Sequence, residues 1–228
     1  CALPIWQLFT LAINDGTGLP TRVVQMRDNT NLGDVAVETA FSNYTDVAGL
    51  KLPGRLVTKT DKYPTADLTL TKQGLDGDAG DLAVPPAASG APAVAGVPPA
   101  KVDVTELGKG IWFLAGQSHN SVLVEFADHL TLIETPQHDT RALAVIAKAK
   151  ELRPDKPLTQ VINTHFHFDH SGGLRAAVSE GLKVMAPKNA GAYYQSAMTR
   201  PHTLVPDALA KGAKPLALET VDRKSTRL

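Results

Sequence analysis

The sequence is poor in cysteine and aromatic residues, carries no net charge and has no long apolar run. Each of these features argues against one kind of structure or partner. It has one cysteine in 228 residues, so no internal disulfide framework can form. Aromatic residues make up 5% of the chain, which disfavours a stacking surface for single-stranded nucleic acid. The formal net charge is +0, so neither nucleic acid nor an anionic membrane is an expected partner. No apolar run is long enough to span a bilayer.

What remains is an ordinary globular composition. Hydrophobic residues make up 43% of the chain and charged residues 20%, which is typical of a folded protein. The length allows one large domain or two small ones. A small-molecule substrate is the expected partner, and the composition does not indicate an oligomeric state.

The two ends of the chain are related through their coding DNA. DRKST, which begins at Asp222, can be encoded by GATCGGAAGAGCACA, whose reverse complement encodes the CALPI of residues 1–5. This DNA resembles a sequencing adapter read at both ends of an insert. We therefore expect that residues 1–5 and 222–228 are not native protein sequence. Native codons across both junctions of the source DNA would refute this hypothesis.

Three regions follow from the pattern along the chain. Residues 6–82 alternate short β-branched runs with Asn, Gly, Asp and Pro clusters, which predicts a small antiparallel β-rich domain that is incomplete. Residues 83–101 are rich in Pro and Ala and read as a linker. Residues 102–221 begin with three strand-like runs and then alternate helix and strand, which predicts an α/β arrangement with parallel strands. In this region Thr140 is the expected N-cap of the first helix.

A dense cluster of metal-ligand residues follows one of these strands. The stretch NTHFHFDHSGG, residues 163–173, places three histidines and one aspartate within six positions. Side chains at the carboxyl end of a parallel strand are well placed to build a site. In an extended segment alternate residues point the same way, so the histidines should project outward while the two phenylalanines pack inward. Imidazole and carboxylate suit zinc and its neighbours, so we favour a metal site over a polar surface loop.

The motif resembles the HxHxDH signature of the metallo-β-lactamase fold family. The preceding SVLVEFADHLTLIETP is similar to that family's strand pair before its first helix, and the resemblance covers about residues 104–221. It implies a mixed α+β / α/β fold, in which the β-rich domain precedes part of an αββα sandwich. Residues 102–221 would form the N-terminal half of that sandwich.

The resemblance also implies the roles of the clustered residues. His165 and His167 would bind a first metal ion, and Asp169 and His170 a second. Asp169 would in addition orient the attacking hydroxide, which makes it the candidate catalytic residue. The implied cofactor is one or two zinc ions, with iron or manganese as alternatives.

The family completes its metal site with ligands further along the chain. These are another histidine, in many members a bridging aspartate, and a last histidine. His202 is the one histidine that follows the cluster, and it lies between Pro201 and Pro206 in an apparent loop, so we do not expect it to be a ligand. We expect the missing ligands beyond Val221, in which case this chain binds metal weakly and has no turnover of its own.

We do not expect the remaining histidines or Glu134 to bind metal. His119, His129 and His138 fall in predicted loops or turns and are expected to be solvated. The loop that holds His119 can border the site in this fold. Glu134 stands where family members often carry aspartate, and we expect it to have a structural role.

These observations predict a metal-dependent hydrolase that uses a metal-activated water on an ester, thioester, lactone or lactam. The alternative is a non-catalytic protein, zinc-stabilised or substrate-binding. A thioesterase like glyoxalase II would need a basic cluster for glutathione, which the sequence does not contain. A β-domain, a Pro/Ala linker and the absence of native cysteine suit a periplasmic or secreted protein, although a cytoplasmic one can look the same.

Overall fold

The computed structural model describes residues 8–78, 80–86, 88–90, 100–116 and 118–222. The chain divides into two compact units, Cys1–Arg27 with Val35–Pro98 and Asp28–Asp34 with Pro99–Leu228. Residues 1–5 and 223–228, for which an adapter origin is predicted, and positions 87 and 91–99 of the predicted linker lie outside the described residues. The predicted domain boundaries remain predictions.

The first unit is built on a five-stranded sheet. Its strands lie side by side in chain order: β1 (Phe9–Ile13), β2 (Pro20–Asn29), β3 (Gly33–Val47), β4 (Leu50–Thr60) and β5 (Tyr63–Thr69). The pairs β1–β2, β3–β4 and β4–β5 are antiparallel. The turns carry the expected chemistry, since the Asn14 side-chain oxygen accepts the backbone N–H groups of Gly16 and Thr17 at 3.0 and 2.9 Å.

The second unit is built on a seven-stranded mixed sheet. Its strands are β6 (Asp103–Gly108), β7 (Ile111–Ala115), β8 (Ser121–Glu125), β9 (Leu130–Ile133), β10 (Leu158–Ile162), β11 (Lys183–Pro187) and β12 (Leu218–Val221). They lie in the order β12-β11-β10-β9-β8-β7-β6. From β6 to β9 neighbouring strands are antiparallel, and from β9 to β12 they are parallel. The predicted fold class and the parallel strands after the hairpin are confirmed.

In the part of the chain that the structure describes, five α-helices connect or follow the parallel strands. They are α1 (Asp139–Leu152), α2 (Phe168–Ser171), α3 (Leu174–Ser179), α4 (Gly191–Thr199) and α5 (Ala208–Lys211). Each strand–helix–strand connection joins two parallel strands that are neighbours in the sheet. When such connections are right-handed and move along the sheet in the same direction, their helices lie on the same face. Accordingly, α3 packs against both α1 and α5.

The core lies between this sheet and its helices. Alternate strand residues face the helices, so Leu123, Leu132, Val161 and Val184 pair side by side across four strands and are all fully buried. From α1, Val145 and Ile146 pack onto the same cluster. Each such side chain contributes about 1.5–3 kcal/mol through burial, which makes the carboxyl edge of the sheet a rigid base for a site.

The segment Asp28–Asp34 belongs to the second unit although the chain around it belongs to the first. The Asp34 carboxylate accepts the backbone N–H of Thr203 at 2.9 Å, and the Asp34 backbone N–H donates to the Pro201 carbonyl at 2.8 Å. Gly33 has a φ of +65°, and a Cβ there would lie 2.0 Å from the Pro201 carbonyl oxygen. Glycine is therefore required where this segment meets the loop after α4.

The start of α1 differs from the sequence expectation. The N-cap is His138, whose Nδ1 accepts the backbone N–H of Arg141 at 3.3 Å, and Thr140 lies inside the helix. The prediction of Thr140 as N-cap was wrong because an imidazole nitrogen supplied the acceptor two residues earlier. The helix ends at Leu152, just before Pro154, as the proline predicts.

Among the residues that the structure describes, the helices are all too short or too polar to cross a membrane.

Substitution of Gly172 tests the close packing at the junction of α2 and α3. A Cβ at Gly172 would lie 2.0 Å from the Gln137 carbonyl oxygen. Because backbone must shift to admit it, Gly172→Ala should lower the free energy of unfolding by about 1–3 kcal/mol, measured by urea denaturation. The control is Gly74→Ala, where nothing lies within 4 Å. Equal stability of the two variants would contradict the packing argument.

Candidate metal centre

The predicted cluster lies directly after β10, at the carboxyl edge of the sheet. The chain leaves the strand at Ile162 and enters α2 at Phe168. The ring centroids of His165 and His167 are 4.9 Å apart, and those of His165 and His170 are 4.2 Å apart. The structure therefore brings all three histidines of the motif together.

The two phenylalanines do not pack inward as the alternation predicted. Phe166 is 48% exposed and Phe168 is 62% exposed. Alternation holds only in extended backbone, whereas here the His170 N–H donates to the His167 carbonyl at 3.0 Å and the chain turns into a helix. The turn directs Asp169 and His170 to one place while it leaves both phenyl rings outside the core.

A fourth histidine joins the cluster from a preceding loop. His119 lies between β7 and β8, and its Nε2 is 2.9 Å from Asp169 Oδ2. The Nε2 of His170 is 3.7 Å from the same oxygen. One ligand atom from each of His119, Asp169 and His170 lies within 4.8 Å of the others. The expectation that His119 is a solvated loop residue was wrong, and the resemblance to a fold in which this loop borders the site was the one signal for it.

Hydrogen bonds orient both His119 and the carboxylate that it contacts. The Nδ1 of His119 is 2.8 Å from the Ser118 hydroxyl, which in turn accepts the Gln137 side-chain N–H at 2.7 Å. Partial burial raises the pKa of Asp169, but its own backbone N–H and the neighbouring His170 and His119 outweigh this and keep the pKa below its usual value. Asp169 is therefore held as a carboxylate, the form that binds a cation.

Glu134 lies beneath the loop, at the end of β9. Its backbone has a φ of +68°, and its side chain is buried. One carboxylate oxygen accepts the Thr164 backbone N–H at 3.0 Å and the other accepts the Asn163 side-chain N–H at 2.8 Å. Oε2 is also 3.7 Å from His170 Nδ1. This geometry agrees with the structural role expected for Glu134.

Asn163 extends this network to two further parts of the unit. Its side-chain N–H also donates to the His170 carbonyl at 3.0 Å, and its Oδ1 accepts from the Tyr194 hydroxyl of α4. Burial, together with the nearby Glu134 and Tyr193, raises the pKa of Tyr194, so its hydroxyl remains a donor. Asn163 thus joins both ends of the metal loop to α4.

Asn31 holds the opposite side of the same loop. It is buried, and its Nδ2 lies 2.8 Å from the Ser171 hydroxyl, 3.2 Å from the Phe166 carbonyl and 3.2 Å from the Tyr193 hydroxyl. Ser171 in turn lies 2.9 Å from the His167 carbonyl. Sequence reasoning missed Asn31 because it precedes the motif by more than a hundred positions and only the tertiary fold brings it there.

His202 lies in a separate buried cluster. Its Nδ1 is 3.5 Å from the Asp207 carboxylate, which also pairs with Arg175. Burial and the Arg175 charge lower the pKa of His202, which keeps the imidazole neutral. The expectation that His202 is not a ligand stays a prediction.

His129 and His138 have partners outside the cluster. His129 stacks on Phe126 with centroids 4.9 Å apart, and its Nδ1 is 2.7 Å from the Asp128 carboxylate. His138 caps α1, as described above. Both are therefore more engaged than solvated loop residues would be.

The donor set fits a transition-metal ion. Ligand atoms of His119, Asp169 and His170 lie within 4.8 Å of one another, and the rings of His165 and His167 lie beside them. Imidazole and carboxylate are the ligand chemistry of zinc and of its neighbours iron and manganese. His165 Nδ1 is 3.1 Å from the Thr164 hydroxyl, so its Nε2 is the nitrogen left for a ligand. This chemistry does not select one metal.

The segment that carries this cluster is similar to a known protein family. Residues 114–182 match the metallo-beta-lactamase superfamily. The match confirms the resemblance predicted from the motif. It spans the strands β8 to β10, the helices α1 to α3 and the whole loop that carries the four predicted ligands.

Two curated relatives are alkylsulfatases. The linear primary-alkylsulfatase of Pseudomonas sp is 35% identical over 74 residues, which cover 30% of this chain and 11% of the relative. The (R)-specific secondary-alkylsulfatase of Pseudomonas sp is 34% identical over 74 residues, with the same coverage of 30% and 11%. The chain thus spans about one ninth of the length of these relatives.

Solved metallo-beta-lactamases are similar over part of the chain. The enzyme from Hirschia baltica is 24% identical, with a TM-score of 0.38, and the match covers 45% of this chain and 50% of that one. FIM-1 from Pseudomonas aeruginosa, in its mono-zinc form, is 23% identical, with a TM-score of 0.38 and coverage of 46% and 50%.

Substitution of Glu134 by glutamine tests the buried network beneath the metal loop. Glu134→Gln replaces one of two acceptor oxygens by an N–H group, so either Asn163 or Thr164 loses its acceptor. We expect the free energy of unfolding to fall by about 1–3 kcal/mol, measured by chemical denaturation without metal. Glu106→Gln removes the same charge from the exposed strand β6 and should change stability by less than about 0.5 kcal/mol. A Glu134→Gln protein as stable as this control would refute the role given to the carboxylate.

Proposed function

We propose that this chain carries part of the active site of a metal-dependent hydrolase of the metallo-beta-lactamase superfamily. The observation that carries the proposal is the convergence of His165, His167, Asp169 and His170 at the carboxyl end of β10. The superfamily match over residues 114–182 supports it, because that segment contains the whole cluster.

The proposed roles follow from position and chemistry. His165 and His167 form one pair of nitrogen ligands, and Asp169 with His170 forms the second set. A zinc ion, when bound, lowers the pKa of its water to about 7 and so supplies hydroxide at neutral pH. Asp169 would orient that nucleophile, and Glu134 would hold the loop in place through Asn163 and Thr164.

The substrates that we propose are small molecules with a hydrolysable bond of one of these kinds: carboxylic ester, thioester, lactone, lactam or sulfate ester. Sulfate esters belong in the set because the two curated relatives are alkylsulfatases. The partly exposed loop, with Phe166 and Phe168 at its surface, offers apolar contacts beside the ligands. Such contacts suit a substrate with a hydrocarbon portion.

Replacement of a motif histidine tests the proposal. In the product of the complete source gene, His167→Ala should lower hydrolysis of a chromogenic panel (aryl sulfate, aryl ester, thioester and cephalosporin) by more than about 100-fold, because it removes a ligand rather than a supporting group. His129→Ala is the control, since His129 stacks on Phe126 outside the cluster. Dialysis against a chelator should abolish activity in the wild-type protein, and added zinc, manganese or iron should restore it.

Two other results would contradict the proposal. Hydrolysis that survives both His167→Ala and chelation would refute a metal-dependent mechanism. A complete protein that binds zinc but hydrolyses no member of the panel would favour the alternative, a non-catalytic zinc-stabilised or substrate-binding protein.

A further inference from the structure

We propose that His119 is a protein ligand of the cation position formed by Asp169 and His170. The inference rests on the proposed function, which makes Asp169 and His170 ligands. It goes beyond that function because the resemblance implies further ligands only downstream of the motif, whereas His119 precedes the motif by more than forty positions. A set of His119, Asp169 and His170 would give this chain three ligands to one ion.

The distances suit a shared ion. Ligand atoms bound to one zinc ion at about 2.0–2.1 Å in tetrahedral geometry lie about 3.3–3.4 Å apart. The structure gives 2.9 Å from His119 Nε2 to Asp169 Oδ2 and 3.7 Å from His170 Nε2 to the same oxygen. These two distances bracket the tetrahedral spacing, and the three ligand atoms all lie within 4.8 Å of one another.

The surroundings of His119 are those of a ligating histidine. A metal-bound imidazole engages its other ring nitrogen with an oxygen, which fixes the tautomer and the ring orientation. Here Nδ1 is 2.8 Å from the Ser118 hydroxyl, which Gln137 holds in place at 2.7 Å. If Ser118 accepts the proton of Nδ1, the lone pair of Nε2 faces Asp169 and His170.

Partial burial favours the same assignment. The side chains of His119, Asp169 and His170 are 33%, 29% and 33% exposed. A position with three protein ligands and one open side is the arrangement of catalytic rather than structural zinc, because the open side admits water or substrate. The His119 and His170 rings also meet edge to face, with centroids 5.5 Å apart and an angle of 78° between their planes.

A rival explanation makes His119 only a hydrogen-bond donor to Asp169. Glutamine separates the two explanations, because its side-chain amide can donate to a carboxylate but is a poor ligand for zinc or cobalt. Under the proposal, His119→Gln behaves like His119→Ala. Under the rival explanation, His119→Gln behaves like the wild-type protein.

The experiment titrates Co²⁺ into the 228-residue chain and records the visible absorption spectrum. Zinc affinity is measured in parallel by competition with a chromophoric chelator. We expect His119→Gln and His119→Ala each to lower affinity by at least about 10-fold and to change the cobalt spectrum. His129→Gln is the matched control and should leave both unchanged.

The outcomes distinguish this inference from the proposed function. Wild-type affinity and spectrum in His119→Gln, with loss of binding in His167→Ala, would overturn the role of His119 and leave the proposed function standing. A wild-type chain that binds neither metal would overturn the inference, because three ligands from this chain should bind the ion, and it would leave the proposed function to the test on the complete gene product. If thermal denaturation shows that His119→Gln is unfolded, Ser118→Ala replaces it: lower affinity supports the inference, and wild-type affinity overturns it.

Discussion

The buried carboxylate of Glu134 is the constraint on which the metal loop depends. A chain that leaves a central strand at the sheet edge must find partners for its backbone and side-chain donors away from water. Glu134 supplies them to Thr164 and Asn163, at 3.0 and 2.8 Å. Hydrogen bonds to a charged group are stronger than neutral ones, at about 1.5–3 kcal/mol each. The loop that follows can therefore hold an irregular conformation without a strand beside it.

Two networks hold the loop from opposite sides. Glu134, Asn163 and Tyr194 form one network, which reaches the two ends of the loop at Thr164 and at the His170 carbonyl. Asn31 and Ser171 form the other, which holds the carbonyls of Phe166 and His167. Hydrogen bonds thus hold the backbone N–H of Thr164 and the carbonyls of Phe166 and His167 within the loop. A site whose supporting groups are already satisfied loses little entropy when a ligand binds.

The segment that matches the superfamily does not contain all the residues that hold the metal loop. Residues 114–182 include the loop, Glu134 and His119, but exclude Asn31 and Tyr194. The excluded residues reach the loop through the segment Asp28–Asp34 and through α4. The matched segment therefore carries the proposed ligands, and other parts of the second unit hold the loop on which they lie.

The sequence by itself predicted the clustering of His165, His167, Asp169 and His170, the strand that precedes it and the parallel α/β order, because each of these is encoded by local spacing. It could not locate His119 beside Asp169 or Asn31 beneath Phe166, because those contacts depend on how strands distant in the chain align. It also assigned inward positions to Phe166 and Phe168, since alternation cannot reveal where an extended segment becomes a helix. The tertiary structure decided these points: the carboxyl edge of the sheet brings together loops from different strands, and only there does a histidine from an earlier loop become a neighbour of the motif.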